Sequence, residues 1–315
     1  MVFLAKAQII SLSDTAGAIT ISPKGIVGQT NGNSSLNVGL GSYALRSITT
    51  GHSNVGIGKF SLYANTSGNQ NSALGTNTLQ NNTTGNYNVA IGFNTLMSNN
   101  TGSSNIAIGA DALKSIVGSN GNIAIGENAL SNATSIQGNT SVGVGSMNSL
   151  TLGNENTGIG GGALALMPMG YANTAIGTDA MRKAKNDVSK NVAIGVRAGE
   201  NMSAGFNTFL GFESGALNVG SGNVFLGALS GFNAAFANVS NRLVIQSSDS
   251  PTPLIYGEFD NQILKINGKL LLQKNNGVPA SSTSPGTEGQ LAFDDQYFYI
   301  CIQNNVWKRF SLSSW

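Results

Sequence analysis

Asn88-Val89-Ala90-Ile91-Gly92 is followed 17 residues later by Asn105-Ile106-Ala107-Ile108-Gly109, and the same wording returns at Asn191-Val192-Ala193-Ile194-Gly195. Extended in both directions from these runs, the pattern Asn-x-small-aliphatic-Gly-x-x-small-Leu occurs twelve times. It opens at Asn37, Asn54, Asn71, Asn88, Asn105, Asn122, Asn139, Asn156, Asn173, Asn191, Asn207 and Asn223. The spacing is 17 eight times, then 18, 16 and 16. Counting the Asn as position 1, position 5 is glycine and position 4 is Leu, Ile or Val in every copy. A fixed period of this kind decides the architecture before any single element is assigned.

Each position has a physical role. Val38-Gly39-Leu40 and Ile106-Ala107-Ile108 alternate large and small with period two, the signature of a short strand with one aliphatic and one nearly bare face. The glycine that follows permits positive φ, and a second glycine, as at Gly51, Gly68 and Gly85, precedes the next Asn by three residues. Ala-Leu at positions 8 and 9, as in Ala112-Leu113, returns an apolar side chain from the opposite wall. Two turns in 17 residues leave no room for a βαβ unit. The reading is an all-β fold, a parallel β-solenoid or β-roll of about twelve coils, roughly 60 Å long at strand spacing. The twelve Asn then stack, each amide donating to one neighbour and accepting from the other; tolerance of left-handed backbone is the other reason for Asn at a turn. With so few large side chains per coil, further burial is expected between chains, across the small-residue face of Ala73, Ala90, Ala107, Ala124 and Ala175.

Composition narrows the function classes. The 315 residues include 42 Gly and 40 Asn, and 16 basic against 14 acidic side chains give a net charge of +2. So few, thinly spread cations build no phosphate-binding stripe, so nucleic acid is not an expected partner. No run of about 18 apolar residues is present, so no membrane insertion is expected. Lys6 interrupts the apolar opening, which argues against a secretory leader. One cysteine, Cys301, and one histidine, His52, exclude a disulfide framework, a His- or Cys-built metal cluster and a serine triad within one chain. No cofactor is expected. Gly39-x-Gly41-x-x-Ala44 matches a dinucleotide fingerprint only because the repeat places residues there. Paired carboxylates for glycoside cleavage would have to come from Glu258 and Asp260 or from Asp294 and Asp295, all read as turn residues. Threonine rows of an ice-binding solenoid are not read, the threonines falling out of phase.

The chain divides into an N-terminal attachment segment (1–36), the repeat domain (37–240), a β-rich transition (241–272) with a hairpin signal at Asn267-Gly268, a polar linker (273–289) with little to bury, and a C-terminal antiparallel meander (290–315). Phe209 and Phe225 take the small slot and Gly199, Gly215 and Gly231 the late Leu, marking the end of the regular stack. The meander gathers Tyr297, Tyr299, Trp307 and Trp315, aromatic rings with polar tips that are candidate receptor contacts or the core of a small module. No catalytic residue is assigned.

The runs at Asn88, Asn105 and Asn191 resemble the head repeat of trimeric autotransporter adhesins, a left-handed parallel β-roll in a homotrimer, and longer coils of similar wording occur in phage tail fibres. The segments Asn241–Ile245, Thr252–Gly257 and Ile266–Lys269, and the meander, resemble the segments that come after such repeats in fibre proteins. The resemblance implies a homotrimeric, structural and adhesive tail fibre of a phage or phage-like particle. Its place would be the virion tail, held to other tail or baseplate proteins through the N-terminal segment and attaching to a host cell-surface glycan or protein. A bacterial surface adhesin of the trimeric type is the alternative, although that class needs membrane-barrel strands this tail does not supply. A polysaccharide-cleaving spike is the third reading, and the expectation is a chain that is not an enzyme.

Overall fold

A computed structural model describes residues 36–185, 187–271 and 278–313. The expected attachment segment, apart from Leu36, and Trp315 lie outside the described residues. Two compact units are present, 1–265 and 266–315, and each is taken by itself.

In the first unit the repeats form a parallel β-solenoid. Residues 2 to 4 of each coil make a three-residue strand, from Val38–Leu40 to Val224–Leu226, and each pairs in parallel with its equivalent in the next coil. Register is like on like: Val89 opposite Ile106, Ala90 opposite Ala107, Ile91 opposite Ile108. Arg242–Ile245 adds one more parallel strand, and Ile255–Glu258 then pairs antiparallel to it. A 3-10 turn at Ala234–Phe236, with Asn233 Oδ1 accepting from Ala235 N, precedes that change of direction.

The wall opposite the strand is neither strand nor helix. Positions 7 and 9 have left-handed backbone, as at Phe60 (φ 58°) and Leu62 (φ 50°), so successive peptide groups point alternately to the coil above and the coil below. Phe60 N donates back to Ser42 O at 2.9 Å, whereas Leu62 N donates forward to Thr78 O at 3.0 Å. Left-handed leucine costs on the order of 1–2 kcal/mol, which full burial of its side chain offsets at roughly 1.5–3 kcal/mol.

The faces of the strand are reversed from the expectation. Ala73, Ala90, Ala107, Ala124 and Ala175 are buried in the chain's own interior, against the position-9 leucines, and the aliphatic residues point outward. Leu40, Leu74, Ile91, Ile125, Ile159 and Leu210 each expose 37–48% of their surface. The interior of so short a coil is narrow: with Leu62, Leu79, Leu96 and Leu113 reaching in from one wall, only a methyl group fits from the other. Where phenylalanine takes position 3, position 9 becomes glycine. A Cβ on Gly215 would stand 2.5 Å from Phe209 Cδ2, and one on Gly231 would strike the Phe225 ring. Phe209 and Phe225 stack with centroids 5.0 Å apart, filling the space the leucines leave.

Polar groups bind coil to coil. Each position-1 Asn is buried, and Asn105 is typical: its N and Nδ2 both donate to Asn88 Oδ1, at 3.0 and 3.1 Å, while Nδ2 also donates to Ser119 O at 2.8 Å. Similar bonds join Asn37 through Asn207, and Asn223 N continues to Asn207 Oδ1 at 3.0 Å. A second inner ladder, absent from the sequence reading, joins Asn65, Asn82 and Asn99 at position 12. Three threonines are in phase after all: Thr49 Oγ1 donates to Thr66 O and Thr66 Oγ1 to Thr83 O, at 2.9 and 3.1 Å.

The second unit contains the antiparallel meander Leu291–Phe293, Tyr297–Gln303 and Val306–Ser311. Its core is Ala292, Tyr299, Cys301 and Trp307, with Val278 packed against them. The stretch read as a linker is, over 278–289, a strap on this sheet: Trp307 N donates to Ser282 O, Asn305 N to Gly286 O and Glu288 N to Asn304 Oδ1. It is seated there because Trp307 needs a lid that its small strands do not supply.

Candidate functional site

Tyr297, Tyr299 and Trp307 stand on one face of the meander, Tyr299 opposite Arg309 and Trp307 opposite Cys301. Tyr299 and Trp307 share the face under the strap and are buried, at 7% and 4% exposure, so they are core before they are contacts. Their polar tips are satisfied: Tyr299 Oη donates to Asp294 Oδ2 at 2.8 Å and Trp307 Nε1 donates to Ser284 O at 3.1 Å. Donation to the Asp294 carboxylate holds the Tyr299 phenol above its ordinary pKa. Tyr297 is half-buried, with the Arg309 guanidinium 4.2 Å above its ring. Trp315 lies outside the described residues. A cavity of about 330 Å³ opens between residues 279–282 and Tyr299, Trp307, Lys308 and Arg309. Sequence reasoning singled out the aromatics of this cavity and missed Arg309, which stands two residues after Trp307 and on its face of the strand.

A second concavity, of about 470 Å³, runs along the solenoid edge where Ser135–Gln137, Leu152–Asn154 and Gly170–Tyr171 follow one another. Gly118 and Gly153 contribute no side-chain bulk to it, and Asn120, Gln137 and Asn154 line it with amides one coil apart. These amides are oriented by the stack: Ser103 N donates to Asn120 Oδ1 at 2.7 Å and Gln137 N to Asn154 Oδ1 at 2.8 Å. Tyr171 ends the row as an exposed ring. Regularly spaced amides beside an aromatic face suit the hydroxyl groups and ring hydrogens of a polysaccharide.

The carboxylates weighed for glycoside cleavage are engaged elsewhere. Asp260 accepts from Arg242 at 2.7 Å, and Glu258 Oε2 accepts from Asn261 Nδ2 at 2.6 Å. These partners hold both carboxyls below their ordinary pKa, which suits an ion-pair or turn role and not that of a general acid. Asp294 Oδ1 accepts from the backbone N–H of Gln296 and Tyr297, the expected turn function. On the solenoid, Asp111, Asp179, Glu200 and Glu213 pair with Lys114, Arg182, Lys183 and Arg197. Among the described residues no three His, Cys, Asp or Glu side chains converge as a metal site.

No family model matches the chain, and no solved structure matches it. Two curated proteins are similar over part of it. A capsule K30/K69-specific depolymerase of Klebsiella phage K64-1 is 30% identical over 90 residues, 29% of this chain and 11% of that protein. Depolymerase 1, capsule K30/K69-specific, of Klebsiella phage K5-2 is 40% identical over 50 residues, 16% of this chain and 6% of that protein. The chain matches about a tenth or less of the length of these relatives. Their names overturn the non-enzyme expectation: the similarity is to polysaccharide-cleaving proteins of phages. Nothing in these comparisons favours the bacterial surface adhesin, and the likeness to phage proteins together with the β-solenoid fits a phage tail fibre or spike.

Proposed function

We propose that this chain belongs to a phage tail spike that holds and depolymerises the capsular polysaccharide of a bacterial host. The observation that carries the reading is the similarity, over up to 90 residues, to two phage proteins named as capsule depolymerases. The amide-lined groove beside Tyr171 gives the polysaccharide a place to lie. The test is direct: purified chain incubated with purified capsule should lower its viscosity and release oligosaccharides. A capsule recovered at its original chain length would sink the proposal.

We infer further that the spike is a homotrimer, as the adhesin-head resemblance also implies, and that the outward aliphatic residues are what its copies bury. The stripe of Leu40, Leu74, Ile91, Ile125, Ile159 and Leu210 runs along one face of a continuous sheet, more apolar surface than an isolated soluble chain normally leaves in water. Light scattering should give three times the 32.3 kDa chain mass, and Ile91→Glu with Ile125→Glu should shift that mass toward the single chain. A native monomer at micromolar concentration would contradict the inference.

A further inference from the structure

We propose that the cavity of the 266–315 unit is a binding site for a carboxylate-bearing sugar residue, which would make the spike selective for acidic polysaccharides. This rests on the capsule-directed reading above and names the chemical class its C-terminal unit takes. Three observations support it.

The cavity is a built site. The indole of Trp307 is held by Ser284 O through Nε1, and its backbone N by Ser282 O at 2.9 Å. Gly286 lies so close that a Cβ there would stand 2.5 Å from Trp307 Cζ2, so the strap is shaped to the ring. Tyr299 is fixed by Asp294. Walls positioned before a ligand arrives cost little ordering on binding.

The lining has one sign of charge. Lys308 and Arg309 line the cavity and no carboxylate does; the nearby Asp294 carboxylate accepts from Gln296 N, Tyr297 N and Tyr299 Oη.

The geometry of Arg309 suits a carboxylate. Strand pairing puts Arg309 opposite Tyr299 and on the same face as Trp307. Its guanidinium is stacked over Tyr297 at 4.2 Å, which fixes the plane in which its N–H donors lie. A guanidinium so held offers two parallel donors to one carboxylate. At about 330 Å³ the cavity is at the small end of ligand sites, the scale of a sugar unit and not of a long chain.

The experiment is calorimetric titration of the full chain with an oligosaccharide containing glucuronic acid and with the same oligosaccharide after reduction of its carboxyl groups. The acidic form should bind at least tenfold more tightly than the reduced form. Arg309→Gln should remove at least tenfold of that affinity while the melting temperature stays unchanged. Arg309→Lys should keep only a fraction of it, since charge is retained and the paired donors are lost. Equal binding of both forms, no binding of the acidic form, or full affinity in Arg309→Gln would overturn the proposal. Release of oligosaccharide from capsule, measured on the same unmodified protein, separates the two readings: cleavage with no preference for the acidic probe sinks the site and leaves the spike.

Discussion

Alanine at Gly109 is expected to destabilise the solenoid by about 4 kcal/mol, where alanine at Gly121 should cost about 1 kcal/mol. Both glycines have positive φ, but 67° at Gly121 lies close to the left-handed values that Phe60 and Leu62 adopt, whereas 130° at Gly109 lies beyond them. Space separates the two further. A Cβ on Gly109 would stand 2.6 Å from the carbonyl carbon and oxygen of Gly126, backbone atoms of the next coil, whereas a Cβ on Gly121 meets nothing within 4 Å. Gly126 cannot yield, because it approaches Gly143 in the same way, and Gly143 approaches Gly160. The contact is therefore propagated along the stack, and one added methyl group has to push adjacent coils apart. Denaturant midpoints followed by circular dichroism give both values. Equal losses would mean that neither the φ of 130° nor the approach of the next coil is what requires glycine at position 5.

That contact is also why the architecture could be read from the sequence. A residue type forced by the neighbouring coil has to recur at the coil's own period, so Gly41 through Gly227 record the stacking directly. The Asn at position 1 does the same, since its side chain bonds to its own equivalent. Strand alternation carries less information. Ile106-Ala107-Ile108 has two faces, and the habit of placing bulk inside chooses the wrong one for a coil too narrow to hold it. The pattern did contain the answer in Phe209 and Phe225, which occur at position 3 beside Gly215 and Gly231 at position 9. A volume exchanged between two positions means that they face each other across the interior.

Less of the candidate site was legible. Tyr299 and Trp307 stand out by residue type, but their burial depends on the strap at 278–289, whose Ser, Thr, Pro and Gly read as linker until Trp307 N is seen to donate to Ser282 O. The solenoid groove brings Asn120, Gln137, Asn154 and Tyr171 together from four coils, and their spacing merges with the Asn background of the repeat. Residues for the proposed cleavage were not legible at all. The carboxylates nearest in sequence, Glu258 and Asp260 or Asp294 and Asp295, were the natural candidates, and Asp260, Glu258 and Asp294 serve an arginine, an asparagine and a turn.

Asn105→Ala is the second large effect expected, a loss of about 3–5 kcal/mol at neutral pH, measured by the same denaturant midpoints. The side chain accepts from Asn122 N and Asn122 Nδ2, at 3.0 and 3.1 Å, and donates to Ser119 O and Asn88 Oδ1. Asn88, Asn105 and Asn122 are fully buried, so none of the groups orphaned by alanine can turn to water. The Asn105→Asp variant tests whether the hydrogen bonds, and not the volume, are responsible. As a neutral acid it keeps an acceptor for Asn122 and an O–H for Ser119 O and loses only the second donation, to Asn88 Oδ1, which still accepts from the backbone N of residue 105; as a carboxylate it loses the donor altogether and buries a charge. Its folded pKa should therefore lie above the unfolded value near 4. A raised folded pKa puts the stability of the variant below the unfolded pKa, and that stability is lost as pH rises through the folded one. Relative to the parent chain at each pH, Asn105→Asp should lose only about 1 kcal/mol at pH 3.5, for the one missing donation, and several kcal/mol at pH 7, while Asn105→Ala loses the same larger amount at both. A pH-independent Asn105→Asp, or an Asn105→Ala loss under about 1 kcal/mol, would show that the stacked amides follow the coil and do not hold it together.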